Sequence, residues 1–463
     1  MFMFDTQKML KGTPAQGTVP SGKEAISKTL WIAWPSILES FLISLVGFID
    51  TIMVSSCGEA AIASVGLTTQ PKFIGLAIFI SLNVAVSAIV ARRKGENDRE
   101  SANRVLVQAT IITVLLTAIV STVCVLYADP IIDMAGSKAD THGAAVTYFQ
   151  IIMGGMLFNV ISMVLNAAQR GAGNTKIAMR TNIVSNGVNI IFNYILINGH
   201  LGFPALGTTG AAIATVIGSV FACIMSIISV SHKDQFISLR GLGRFRFDRK
   251  SMGAIANIGS STLVEQLFMR VGFMLYAIIV ADLGTLEFAA HNVGMNILSI
   301  SFSFGDGLSA AAVSLVGQSL GEKREDLAKI YGSVSQRFGL IFAVGLSIIF
   351  MTLGQPIFKL FSEDTLVLKY GSMIMYLLTV VVFLQISQVI YSGCLRGAGD
   401  TRYTAFVSLI SVAIIRPGIG YLFCVPLHMG LFGAWLGLAV DQLARFVLTW
   451  LRFKSGKWMK IKI

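Results

Sequence analysis

The chain has 463 residues, of which 54% are hydrophobic and 13% charged, against about a quarter charged in a typical soluble domain. A mean hydropathy of +0.73 excludes a soluble globular protein and points to an all-α integral membrane protein. The formal net charge of +12 invites a nucleic-acid partner, but the placement of the basic residues excludes one.

Residues 1–29 are polar and rich in Gly, Ser and Thr, without the apolar core of a signal peptide, and read as a flexible cytoplasmic tail. Apolar stretches long enough to cross a hydrocarbon core then recur twelve times. The first six are Leu30 to Val54, Phe73 to Ala91, Val105 to Tyr127, Ala144 to Ala168, Ile177 to Ile197 and Gly210 to Val230. A basic segment, 231–251, separates them from Met252 to Ala281, Phe288 to Gly317, Val334 to Leu353, Tyr370 to Leu395, Tyr403 to Pro426 and Gly430 to Trp450. A basic tail, 453–463, closes the chain.

Arg92, Arg93, Lys94, Arg99 and Arg104 follow the second span, and Lys233, Arg240, Arg244, Arg246, Arg249 and Lys250 follow the sixth. The odd-numbered loops hold only Lys72, Lys138, Lys359 and Lys369. This alternation is the positive-inside bias, and it predicts a multi-pass protein of the cell inner (plasma) membrane with both termini cytoplasmic. Basic loops facing anionic lipid account for the net charge.

The hexapeptide Arg-Gly-Ala-Gly-Asn-Thr at Arg170 returns 226 residues later as Arg-Gly-Ala-Gly-Asp-Thr at Arg396. At the same offset Glu39 meets Glu265, Gly58 meets Gly284, and Pro130 meets Pro356, so the chain is an internal duplication. Six spans separate repeat partners, and six is even, so both halves run the same way through the bilayer. The expected architecture is two six-helix lobes, 30–230 and 252–452, related by a pseudo-twofold along the membrane normal and joined by 231–251. Two such lobes leave a cleft that rocking would open to alternate sides.

Charges inside spans are the first place to look for function, because the bilayer penalises them. Glu39 and Asp50 share one face of the first span, about 16 Å apart along its axis, with Pro35 one turn before Glu39. Glu265 repeats Glu39, while Tyr276 stands where the second half would repeat Asp50. Either glutamate could instead be an interfacial acid satisfied by water. Asn189 and Asn193 lie on one face of the fifth span and are either cation ligands or interhelical hydrogen-bonding residues. Asp441 and Arg445 read as a structural i,i+4 ion pair. Arg270, Asp306 and Arg416 are further charges within spans and carry no assignment. Glycines in the hexapeptide turns permit tight turns, and Asn174 and Asp400 are placed to cap the helices that follow. The five histidines have no metal-ligand spacing, and the five cysteines no paired spacing.

In order and placement, Val46-Gly47-Phe48-Ile49-Asp50-Thr51, Val188-Asn189-Ile190-Ile191-Phe192-Asn193-Tyr194, Ala289-Ala290-His291-Asn292 and Leu395-Arg396-Gly397-Ala398-Gly399-Asp400-Thr401 resemble a multidrug and toxic compound extrusion (MATE) transporter, from Leu30 to Trp450. The resemblance implies a two-lobed antiporter, not an enzyme, that exchanges Na+ or H+ for amphipathic, often cationic, small molecules. It implies a coupling carboxylate at Asp50, polar ligands at Asn189 and Asn193, and an acidic position at Glu265. Thr215 is a further oxygen near that set. A Na+ at Asp50, Asn189 and Asn193 is the one metal expected, with no other cofactor. Glu39, Glu265, Tyr276 and Gln385 are the candidates for substrate or proton binding. Some members carry an Asp where Gln385 stands, so a cation site built on that acid is not expected here. The lipid bilayer and small-molecule substrates are the expected partners, and a monomer the expected state. A lipid-linked saccharide flippase of the same superfamily is the alternative, and its cleft would call for cationic residues.

Overall fold

A computed structural model describes residues 4–10, 12–232, 235–239, 248–359 and 364–463. Lys233, Arg240, Arg244 and Arg246 of the basic segment lie outside the described residues. All twelve expected spans are helical. They are α1 (Gly22–Ser55), α2 (Glu59–Gly95), α3 (Arg99–Leu126), α4 (His142–Gly154 continuing as Met156–Gly171), α5 (Thr175–Asn198) and α6 (Gly207–Ser231). After the basic segment come α7 (Arg249–Ala281), α8 (Thr285–Gly321), α9 (Glu325–Lys359), α10 (Thr365–Gly397), α11 (Thr401–Cys424) and α12 (Gly430–Ser455). Several run well beyond the apolar core predicted for them.

Three helices depart from a plain apolar rod. The two parts of α4 meet at 46° around Gly154 and Gly155, and a Cβ on Gly155 would lie 2.5 Å from the Val216 side chain of α6. Close approach and the break share one cause, a residue without a side chain. Helix α5 is long enough to span a membrane at 24 residues, yet it is not among the helices apolar enough to do so by composition alone. Helix α11 contains a π-helical segment, Leu409–Ile415, immediately before Arg416. The extra residue per turn resets the direction in which Arg416 leaves the helix.

Residues Phe41–Gly259 form one compact unit, and Met1–Ser40 with Ser260–Ile463 form the other. This differs from a division at 230 and 252. The boundaries fall inside α1 and α7, so each of these helices begins in one unit and ends in the other. In the second unit a continuous core of Ile297, Leu308, Val316, Leu378, Ile390 and Trp435 is reached by Ile32 and Ala33 of α1.

The amino-terminal tail is not the flexible segment expected. Its short helix Thr6–Met9 buries Thr6 and Met9, and Phe4 lies against Phe338 of α9, with ring centroids 5.3 Å apart. Arg324 donates to the carbonyl of Thr18 at 2.9 Å and pairs with the buried Asp326 at 2.8 Å. Asp326 also accepts from the Gln16 N–H at 3.1 Å, and Lys329 donates to Thr13 at 3.0 Å. Gln235–Leu239 of the basic segment does the same to the first unit. Arg99 donates to the carbonyls of Gln235 and Phe236, and Asn103 accepts from the Ser238 N–H at 2.9 Å. Lys94 lies 4.0 Å from the centroid of the Phe236 ring. At the 226-residue offset Asn103 corresponds to Lys329, so the two straps are repeats of one device.

The hexapeptide turns behave as their glycines predict, with φ of +88° at Gly173 and +85° at Gly399. The capping expectation fails. Neither Asn174 nor Asp400 caps through its side chain. Asp400 accepts instead from Arg452 at 2.7 Å, a charged partner that outcompetes a backbone N–H. The carboxy-terminal tail folds back, with Trp458 fully buried and its indole N–H donating to the carbonyl of Phe453 at 2.8 Å.

Candidate ion-coupling site

Helices α1, α5 and α6 bring four of the expected residues together. Asn193 of α5 donates from Nδ2 to Oδ1 of Asp50 on α1 at 2.7 Å. Asn189, one turn earlier, faces both Asp50 and Thr215 of α6. The close approach of α5 to α6 depends on Gly210 and Gly218 of α6. A Cβ on Gly218 would lie 2.8 Å from the Ser185 carbonyl and 3.2 Å from the Asn189 Cβ, and one on Gly210 would lie 2.5 Å from the Leu196 carbonyl. Thr215, between those glycines, donates to the Ala211 carbonyl at 2.9 Å, which leaves its oxygen lone pairs directed to the amides.

The Asn189 amide is oriented by its neighbours. Its nitrogen donates to Asp50 Oδ1 at 2.9 Å and its oxygen accepts from the Thr215 N–H at 3.2 Å. The opposite orientation would set an amide oxygen against a carboxylate oxygen. Asn193 Oδ1 is buried and has no hydrogen-bond partner. Both amides therefore present N–H groups to Asp50, with Thr215 beside the Asn189 oxygen.

Two neighbours were not anticipated. Lys72 of α2 and Tyr148 of α4 both interact electrostatically with Asp50. Lys72 stands just before the apolar stretch predicted to begin at Phe73, and so was read as loop. The structure starts α2 at Glu59 and carries Lys72 within the helix, one residue after Pro71. The apolar run Ala60 to Gly66 ahead of it was the available signal.

The other candidates are placed elsewhere and are not brought together. Glu39 is buried, in the part of α1 that belongs to the second unit. Glu265 is buried and accepts from Arg396 at 2.5 Å and from Thr404 at 2.8 Å. Tyr276 donates to the carbonyl of Ala434 at 2.9 Å, so where the first half has a carboxylate the second has a phenol already satisfied by backbone. Gln385 accepts from Ser301 at 2.7 Å. The Asp441–Arg445 pair is larger than expected. Arg416 reaches the same carboxylate through Nε and a terminal nitrogen, at 2.9 and 2.6 Å, while Arg445 donates to its other oxygen at 3.2 Å.

The chain is 28% identical over 448 residues to the multidrug resistance protein MdtK of Edwardsiella ictaluri, covering 93% of this chain and 96% of that one. It is 26% identical over 432 residues to the probable multidrug resistance protein NorM of Thermotoga maritima, covering 93% and 92%. Among solved structures, an outward-facing multidrug resistance MATE transporter of the MOP superfamily superposes with a TM-score of 0.86 at 22% identity, over 94% of this chain and 97% of that one. A MOP superfamily transporter from Pyrococcus furiosus gives a TM-score of 0.85 with the same coverage and identity. These likenesses establish the fold, twelve transmembrane helices in two lobes. The family model MatE matches twice, over residues 35–195 and 262–422, in nearly the register of the hexapeptide repeat. The chain belongs to the MatE family, and is a multi-pass membrane transporter of small molecules rather than an enzyme.

Proposed function

We propose that the chain is a secondary antiporter of the plasma membrane, with both termini cytoplasmic, that exports amphipathic cationic drugs or toxic organic compounds as a monomer. Na+ or H+ entering at Asp50 drives export, by alternating access of the two six-helix halves. The names of its relatives, multidrug resistance proteins over more than nine-tenths of the chain, support the cargo class. The observation that carries the coupling step is the Asp50 cluster, where a carboxylate, two amides and a hydroxyl converge and one buried amide oxygen is unpartnered.

Both amides turn N–H groups toward an ionised Asp50. A Na+ beside Asp50 would call for amide oxygens in their place, so its binding would change the hydrogen bonding that ties α5 to α6. A ligand shifts a conformational equilibrium only by its differential affinity for the two states, and this rearrangement supplies such a difference.

The test is dye export from proteoliposomes, first under a sodium gradient at fixed pH and then under a pH gradient without sodium. Asn189→Ala and Asn193→Ala should lower sodium-driven export more than proton-driven export, because a proton needs no coordination sphere. Normal transport by both variants under either gradient would make the amides structural and leave Asp50 alone as the coupling residue.

A further inference from the structure

The second half holds a carboxylate that the proposed coupling site does not use. Asp306 lies near the middle of α8 and is exposed, although most of the helix around it is buried. Its neighbours explain how a charge comes to stand there. A Cβ on Gly305 would lie 3.3 Å from Val389 of α10, and Gly307 packs directly on the backbone of Ile37 in α1. Helix α8 is thus wedged on both sides of residue 306, and the carboxylate points away from the packed core.

The exposure continues along the helix. Asn292, Asn296, Ser299, Ser303 and Asp306 follow one another at intervals of three or four residues, so they share one face of α8. Asn292, Asn296, Ser299 and Asp306 are exposed, while Ser303 between the last two and the flanking Ile297, Leu298 and Leu308 are buried. The stripe spans about 21 Å, from the end that the charge distribution places outside to the middle of the helix. Two amides and a carboxylate in lipid would be costly, so such a face lines water or protein. Glu265, Asp326 and Asp441 each pair with an arginine, whereas among the described residues Asp306 is in no ion pair. Arg396, whose charge Asp306 feels, is committed to Glu265.

We propose that Asp306 is a substrate-binding carboxylate of the carboxy-terminal half, taking organic cations that reach it along the aqueous polar face of α8. This rests on the export of cationic compounds proposed above and names the residue that would select for their charge. A single exposed acid at the end of a stripe of amides and hydroxyls suits a large, weakly hydrated cation. Its positive charge is met at one point while its body is accommodated by neutral groups.

The experiment measures equilibrium binding of ethidium and of the uncharged dye Nile red to the full-length protein in nanodiscs. Asp306→Asn should weaken ethidium binding at least tenfold and leave Nile red within about threefold, while Asp306→Glu should retain ethidium binding. Asn296→Cys, in a background without the five native cysteines, should react with a membrane-impermeant cationic thiosulfonate and be protected by ethidium. Undiminished ethidium binding in Asp306→Asn, in a protein that still exports dye, would overturn the assignment and leave the export reading standing. Parallel loss of both dyes would make Asp306 structural, and an unreactive Asn296→Cys would remove the aqueous path. A wild-type protein that bound no ethidium would overturn both readings.

Discussion

Asn193 holds Asp50 by a single 2.7 Å hydrogen bond across 143 residues of sequence, and its own amide oxygen is left buried without a partner. One side chain thus stabilises the ionised carboxylate while its own oxygen stays unmet. An unmet buried acceptor costs about 1–3 kcal/mol, a cost that a bound cation would relieve.

Asp50→Asn should abolish gradient-driven export while the protein stays folded in the membrane, because the change is nearly isosteric. Ethidium efflux from proteoliposomes, with detergent-solubilised size-exclusion profiles as the folding control, provides the check. Wild-type efflux in this variant would remove Asp50 from the mechanism.

Lys72→Met should tighten cation binding at Asp50. Lys72 is close enough to Asp50 to interact with its charge and would repel a cation bound there, so removing the lysine should lower the sodium concentration for half-maximal export. Lys72→Arg keeps the charge and should leave that concentration near the wild-type value. A matching change in both variants would point to packing instead of charge.

The amino-terminal strap should be a stability element. Asp326 is fully buried and accepts from Arg324 and from the Gln16 N–H, so Asp326→Ala unpairs Arg324, which keeps its bond to the Thr18 carbonyl, and strands a backbone donor. The expected loss is about 1–3 kcal/mol, read as a fall in the detergent melting temperature. Deleting residues 1–20 should give a fall of the same sign, and an unchanged melting temperature in both would reduce the strap to a surface contact.

Asp441→Asn should destabilise more than Arg416→Gln. The first leaves two buried guanidiniums without a counter-charge, at a cost of about 3–5 kcal/mol, whereas the second keeps Arg445 paired with Asp441. Thermal unfolding of the two variants side by side gives the order, and a reversed order would show that Arg416 supports something beyond this carboxylate.

The sequence by itself determined the twelve spans and the duplication, and it marked Asp50, Asn189 and Asn193 as candidates. These are local quantities. A run of about 20 apolar residues is recognisable without its neighbours, and a carboxylate or amide within one stands out because the bilayer penalises it. The tertiary structure decided which partner each buried polar group received. Glu265 found Arg396 at a separation of 131 residues, and Asp326 found Gln16 at 310. It also drew Lys72 into range of Asp50 and turned a tail read as flexible into a docked strap. Burial requires that each such group be satisfied, but packing between helices selects which distant residue does so, and no local pattern records that selection.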